Sequence, residues 1–491
     1  MLAVLLLALA LAAINPTGYM GGGGDGYHYL VAARCASEHG ACLPIDHWWR
    51  RWPIVLPTGL SLRLLGEGQL ALAAAPLAYA LAALALLTDL VRQVAGARAG
   101  IIAGSTLALT PVFTSGMTEL NIDMPELAFT LLAMGCAVRL MDDRRQRWAI
   151  AAGLAVGLAI QARPTALALL PLAGLTLLRP ADRRFFLPLI GAAALPSMAE
   201  AVIYGIAAGD PLLPWRLSLG HTTIPSTELL PGVDPSHSPL FNPEYIGGWR
   251  RPLGIEVHWL IDGLLNFVLH PGVSITLLGG AALALLHPGW LRASGRAERV
   301  LRLFAAMAIL WFAVLTYGLA VDPKPRMFLP VAATASLFFG ILAVRLWPRY
   351  RSLTVVIGAL ILLKGLAAVH DRAGLRDQAA AAPRWIEETP APLFVEARTA
   401  RFLALVPAVR ALPLADPGQR HGRVLLIGER GCADAATAAG FGGWRVERSW
   451  LQQRQPGGAI GWLRQRHLFV APPPVYAMCV LSAGPAVSPR R

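Results

Sequence analysis

Met1-Leu2-Ala3-Val4-Leu5-Leu6-Leu7-Ala8-Leu9-Ala10 runs on unbroken by charge to Ile14, and Gly21-Gly22-Gly23-Gly24-Asp25-Gly26-Tyr27-His28-Tyr29 follows almost at once. An apolar run thus delivers the chain to an acid set among glycines. Glycine lets backbone approach a ligand closely, and the aromatic residues beyond suit a lipid headgroup layer or the face of a sugar. What Asp25 does depends on which side of a membrane it occupies, and the rest of the chain answers that.

Hydrophobic residues make up 55% of the 491 positions and charged ones 15%, with a mean hydropathy of +0.53. Most of the length is therefore unsuited to a water-facing surface, and the chain reads as a polytopic membrane protein. The formal net charge of +14 would suggest nucleic acid in a soluble protein. Here the charge is almost all Arg gathered in short loops between apolar spans, the positive-inside pattern, so nucleic-acid binding is not expected.

Runs near the ~20 residues needed to cross the hydrocarbon core can be laid at 1–14, 69–90, 99–116, 124–141, 148–162, 164–178, 185–207, 262–286, 301–321, 327–346 and 353–369, about eleven spans in all. Arg92 and Arg98, then Arg139, Arg144, Arg145 and Arg147, then Arg179, Arg183 and Arg184 fall in alternate loops. Arg292, Arg296, Arg299 and Arg302, then Arg345, Arg349 and Arg351, keep the same parity. These loops are expected on the cytoplasmic side. Loops 15–68, 117–123, 161–163, 208–261 and 322–326, with the tail from 370, then face the periplasm or exterior. The first span is short and lacks a basic residue before it, so a signal peptide or a truncated start is an alternative; neither moves Asp25 inside.

Within loop 15–68, residues 26–39 and Trp52 to Leu65 read as two short helices at the membrane surface, joined by His47-Trp48-Trp49-Arg50-Arg51-Trp52, an interfacial anchor by composition. Loop 208–261 is rich in Pro, His and Trp, but His221, His237 and His258 show no tight metal-ligand spacing. No metal or other cofactor is assigned, though a divalent ion is left open. From about 370 the composition turns soluble. Pro392 to Val395 and Val424 to Ile427 read as buried strands, Arg398 to Leu405 and Cys432 to Ala439 as helices, and Gly428-Glu429-Arg430-Gly431 as a strand-to-helix turn rather than a nucleotide loop. A small α/β domain over 370–491 is expected. Cys35 shares an outer loop with Cys42, and Cys432 shares the tail with Cys479, so two disulfides or four free thiols are the alternatives.

Candidate chemistry gathers in the outer loops. Asp25 has a companion in Asp123, at the lip of a span within Thr118-Glu119-Leu120-Asn121-Ile122-Asp123-Met124-Pro125. Two acids on separate outer loops suit general-base activation of a hydroxyl or amine, although Asp123 also reads as a helix N-cap. Arg163, between Gln161-Ala162 and Pro164-Thr165, either binds an anionic lipid phosphate or snorkels to outer headgroups. Asp322-Pro323-Lys324-Pro325-Arg326 is a stiff turn with Lys324 and Arg326 as a phosphate clamp. Lys364 and Glu200 are intramembrane charges, candidates to touch substrate or to pair with each other; Tyr27, His28 and Glu119 are further candidate substrate contacts.

In this order the motifs resemble the GT-C superfamily of membrane glycosyltransferases, its protein O-mannosyltransferase and aminoarabinose transferase branch in particular. Asp25 matches the acid of the family's first outer loop, and Asp123 the acid before the fourth span. Gly157-Leu158-Ala159-Ile160-Gln161-Ala162-Arg163-Pro164-Thr165 resembles the family's Gly-Leu and Lys-Pro-Thr stretch with Arg in place of Lys. Lys324-Pro325-Arg326-Met327-Phe328-Leu329-Pro330 resembles its Arg-aromatic-x-x-Pro motif. Many relatives follow the first acid with Glu; here Gly26 follows Asp25. The resemblance implies a mainly α fold, a transmembrane helix bundle over 1–369 with outer juxtamembrane helices, and the small α/β domain outside. It also implies a polyprenyl-phosphate-linked sugar donor, inversion, and a lipid, glycan or protein acceptor, at the outer face of the inner membrane. Asp25 and Asp123 would be catalytic, with Lys324, Arg326 and Arg163 at the donor phosphate. A lipid or sugar transporter or flippase, or a polysaccharide polymerase or ligase, is the alternative; outer loops carrying all the elaboration, without an internal repeat, fit transport poorly.

Overall fold

The computed structural model describes residues 1–14, 25–40, 42–178, 180–219, 264, 267–268, 270, 272–318, 325–370, 373–418, 422–428, 431–451 and 477–483. Gly21 to Gly24, Lys324 and residues 220–261 of loop 208–261 lie outside them. The chain is mainly helical. In order come α1 (Leu2–Ile14), α2 (Asp25–His39), α3 (Trp52–Leu65), α4 (Gln69–Ala95), α5 (Ala97–Ala108), α6 (Pro111–Gly116), α7 (Asp123–Asp143) and α8 (Gln146–Ala162). Then follow α9 (Pro171–Leu175), α10 (Phe186–Ala208), α11 (Leu213–Leu219), α12 (Ser274–Leu286), α13 (Arg296–Ala313) and α14 (Leu329–His370).

By length and composition, five helical stretches among the described residues can cross a membrane: Gln69–Ala95, Asp123–Asp143, Pro180–Ala208, Arg296–Tyr317 and Pro325–Ala368. Several expected spans are divided. Residues 99–116 break between α5 and α6, because Pro111 donates no N–H and Thr110 before it is extended at ψ 122°. Residues 164–178 become a tight turn of helix over Pro164–Leu169 and the five-residue α9, each opened by a proline. Conversely, 327–346 and 353–369 form one run, α14, bent at Tyr350 beside Pro348.

Small residues set the helix packing. A Cβ at Gly153 or Gly157 of α8 would collide with the Leu189 and Ala193 carbonyls of α10, so these two helices meet backbone to backbone. The Arg-rich loops gather at one end of the bundle and pair there: Arg296 with Asp142, Arg139 with Asp89, Arg144 with Asp182, and Arg345 with Glu298. Loops of one Arg parity thus lie together in space.

The two expected surface helices, α2 and α3, pack on each other around Tyr29, Leu30, Ala33, Ile54 and Val55. On them rests the C-terminal unit: α15 (Ala373–Glu388), β1 (Leu393–Val395), α16 (Ala397–Phe402), α17 (Pro407–Arg410), β2 (Arg423–Gly428), α18 (Cys432–Ala438), β3 (Arg445–Leu451) and β4 (Ala477–Ser482). Its sheet has the order β1-β2-β4-β3, with β1 parallel to β2 and the other pairs antiparallel. Leu425 and Ile427 of β2 enter one buried layer, Val424 and Leu426 the other, which is why that strand reads as continuously apolar. Arg34 donates to the Ala404 carbonyl at 3.2 Å and Arg410 meets Glu67 at 2.7 Å, joining this unit to α2 and the α3–α4 link.

Both disulfides form, Cys35–Cys42 and Cys432–Cys479. The second ties α18 to β4 across 47 positions. Replacing Cys432 and Cys479 together by Ala is expected to lower the stability of the C-terminal unit by about 4 kcal/mol on chain-entropy grounds, read as earlier proteolysis of the tail on heating. Removing Cys35–Cys42, a far shorter loop, is expected to shift it less.

Candidate active site

The first functional residue is placed by a helix start. Asp25 is the first residue of α2, where an acid complements the exposed N–H groups. Its Oδ1 accepts from the Trp48 indole Nε1–H at 3.1 Å and its Oδ2 from Arg326 Nη2 at 3.0 Å. Arg326 lies in the turn Pro325–Phe328 before α14, and that turn is held by the Trp311 indole donating to the Met327 carbonyl at 3.0 Å. The guanidinium of Arg326 also comes within 3.6 Å of Asp123. Asp25 and Asp123, expected to converge from separate loops, therefore share one cation.

Asp123 is not itself the N-cap. The Asn121 side chain accepts the Asp123 N–H at 3.0 Å and does the capping, which leaves the Asp123 carboxylate to Arg163 at 2.6 Å. Arg163 follows the last residue of α8 in an extended conformation, at ψ 129°, so its side chain leaves the helix sideways. It neither snorkels nor faces outward: it is buried, with Nη1 also 2.9 Å from Glu126, whose second oxygen accepts from the Thr165 hydroxyl at 2.7 Å. Glu119, buried in the same loop as Asn121, adds its negative charge to the field at Arg326.

Exposure separates the two acids. The Asp25 side chain is 44% exposed and that of Asp123 only 2%. A substrate can therefore meet the first carboxylate, while the second is committed to holding cations.

The segment between α2 and α3 supplies the wall. Asp46 accepts His28 Nδ1–H at 3.0 Å through one oxygen and the backbone N–H groups of Trp48 and Trp49, at 2.9 and 3.2 Å, through the other. Burial opposes the charge on Asp46, but these hydrogen bonds and the His28 charge outweigh it and hold its carboxyl below the ordinary range. The Tyr29 phenol is pushed well above its usual value, first by burial and then by the charge of Asp25. Arg51 is buried with Nε and Nη1 unpartnered among the described residues. Burial, helped by the charges of Arg50 and Arg163, brings it down to about 10.

Glu200 and Lys364 do not pair with each other. Glu200, 1% exposed, accepts from Arg50 and from Gln161, each at 2.9 Å. Arg50 further donates to the Pro214 carbonyl at 3.1 Å and lies over the Trp215 ring, so it bolts the α2–α3 segment to α10 and α11. Lys364 is buried in the second half of α14, its charge felt by His270. Tyr27 stands edge-on to His28 and beneath Arg401 of the C-terminal unit. Glu126, Asp46 and Trp48 were missed as site residues. Glu126 carried a readable signal, an acid inside an apolar span; Asp46 carried none, since its partner His28 lies 18 residues away. Among the described residues no group of three His, Cys, Asp or Glu is placed to hold a metal ion.

Residues 56–201, from α3 into α10, match the family model described as dolichyl-phosphate-mannose-protein mannosyltransferase. Among solved structures, ArnT from Cupriavidus metallidurans bound to undecaprenyl phosphate superposes over 100% of this chain and 99% of its own, with a TM-score of 0.51 and 14% identity. The archaeal oligosaccharyltransferase AglB from Archaeoglobus fulgidus, in complex with an inhibitory peptide and a dolichol-phosphate, gives a TM-score of 0.45 at 14% identity, covering 85% of this chain and 64% of that one. No curated protein matches. At such identity the likeness to ArnT is one of fold.

Leaving Arg50 buried without its carboxylate is costly. Glu200→Ala is expected to destabilise the protein by about 3–5 kcal/mol, seen as a lowered thermal midpoint in detergent, whereas Glu200→Gln keeps a hydrogen-bond acceptor and loses less.

Proposed function

We propose that the chain is a GT-C-type membrane glycosyltransferase that moves a sugar from a polyprenyl-phosphate-linked donor to a lipid, glycan or protein acceptor, inverting the anomeric carbon, with Asp25 as the general base. The acceptor hydroxyl or amine attacks the anomeric carbon as its proton passes to Asp25. The bond from that carbon to the phosphate oxygen breaks on the opposite face, and the polyprenyl phosphate leaves with the electron pair.

The observation that carries this reading is the unequal pair of acids on Arg326. Asp25 is open to an acceptor yet oriented through both its oxygens, and Asp123 is closed off beneath the same guanidinium. Developing charge on the leaving phosphate would draw on Arg326 and on Lys324, two positions before it and outside the described residues. Arg51 would add buried N–H donors that an anion can satisfy. Arg163, occupied by Asp123 and Glu126, takes the part of holding Asp123 rather than of reaching the donor.

Orientation follows from charge. With the Arg-rich end cytoplasmic, the site and the C-terminal unit face the periplasm or exterior of the cytoplasmic membrane, the side where lipid-linked sugars are consumed without nucleotides. The single units 1–369 and 370–491 are then the membrane catalytic module and an outer domain beside the acceptor path.

Asp25→Asn keeps the size of the side chain and one of its two acceptor oxygens, and removes the base. Sugar transfer in vesicles from cells lacking the protein is expected to fall by roughly 10²- to 10⁴-fold while undecaprenyl phosphate still binds. Undiminished transfer by this variant would overturn the assignment of the base.

A further inference from the structure

We propose that Trp48 is a positioning residue for the base, the indole N–H fixing the plane of the Asp25 carboxylate and the Asp46–His28 pair fixing the indole. The proposal rests on the reading of Asp25 as base and adds how its lone pair is aimed.

Asp25 needs such a device. The start of α2 places its backbone but leaves the last torsion of its carboxylate unset. A carboxylate gripped through one oxygen can still turn about its last side-chain torsion. Arg326 grips only Oδ2, and alone it would also permit Asp25 to swing toward Asp123. The Trp48 N–H takes Oδ1 from a different part of the chain, and two donors on two oxygens from two elements define a plane.

The indole is held in turn. Its ring stacks on His28, centroids 4.0 Å apart and 17° between planes, and touches His47 at 3.8 Å. Asp46 receives both the Nδ1–H of that stacked His28 and the backbone N–H of Trp48 itself. One carboxylate thus fastens the imidazole and the main chain of the ring lying against it. The Cys35–Cys42 bond ties the start of this segment to α2, the helix that begins at Asp25. A tryptophan serving only as a membrane-surface anchor would keep its N–H for water or headgroups; this one donates to the reacting acid.

Among the described residues the groups facing Asp25 include Arg326 from the turn before α14, Tyr29 from its own helix, Trp48 backed by His28, His47 and Asp46, and Asp123 and Glu119 acting through Arg326. A hydrogen bond to an ionised carboxylate favours the ionised form, so losing the indole N–H must make Asp25 easier to protonate.

Two measurements on the full chain test this. In detergent micelles with ¹⁵N-labelled indoles, the Trp48 signal is the one of 14 that vanishes in Trp48→Phe. It is expected to follow the titration of a carboxyl group and to lose that response in Asp25→Asn; a Trp48 signal indifferent to Asp25→Asn overturns the proposal. In vesicles carrying the host's own polyprenyl-phosphate sugars, Trp48→Phe keeps the aromatic ring and is expected to lower kcat/KM on the order of 10- to 100-fold. Its effect should fall mainly on kcat, with the acid limb of the pH profile moved to higher pH. Wild-type rate and profile in Trp48→Phe overturn the proposal. If the wild-type chain itself transfers no sugar, the glycosyltransfer reading fails, and the indole signal alone then decides whether Trp48 orients Asp25.

Discussion

Arg326 between Asp25 and Asp123 is the contact on which the rest depends. Charges brought together at the end of a membrane bundle must neutralise one another, because removing a carboxylate or guanidinium from water costs several kcal/mol per ion. Asp25, Asp123 and Glu126 face Arg326 and Arg163 in a chain of alternating sign that runs from the surface inward. Each link draws on a different stretch: the start of α2, the start of α7, the end of α8 and the turn before α14. Four regions far apart in sequence are thereby obliged to meet, and the acid at the outer end of the chain stays accessible.

A graded arrangement of this kind sorts roles by burial. The inner members are buried and engaged with one another: Arg163 lies 2.6 Å from Asp123 and 2.9 Å from Glu126, and Glu126 accepts from Thr165. The outer member is 44% exposed, and among the described residues an indole and a guanidinium each take one of its oxygens. An isolated Asp in a glycine-rich loop would be free to wander. Electrostatic anchoring from below and an indole from the side convert it into a directed group.

Much of this was legible in the residues. Helices α2 and α3, strands β1 and β2 and helix α18 of the C-terminal unit, and the grouping of the Arg-rich loops followed from local period and charge, because those features are written within one element. Span continuity was less legible: Pro111, Pro164 and Pro171 interrupt apolar runs whose hydropathy is continuous. Strands β3 and β4 were not read at all; β4 finds its partners only through long-range pairing with β2 and β3. The partners of the charged residues were the least legible. Asn121, not Asp123, caps α7, and Arg50, not Lys364, meets Glu200, because pairing is decided by three-dimensional approach rather than by spacing.

The segment from Asp46 to Trp52 shows how one short stretch integrates the whole. Trp48, whose backbone is held by Asp46, reaches Asp25, Arg50 reaches Glu200 in α10, and Trp52 donates to the Tyr204 hydroxyl at 3.0 Å. On the far side of α2, Arg34 and Tyr27 are engaged by Ala404 and Arg401 of the C-terminal unit. Both α10 and the C-terminal unit therefore touch α2 or the Asp46–Trp52 segment directly, the two pieces of chain that carry Asp25 and its indole donor.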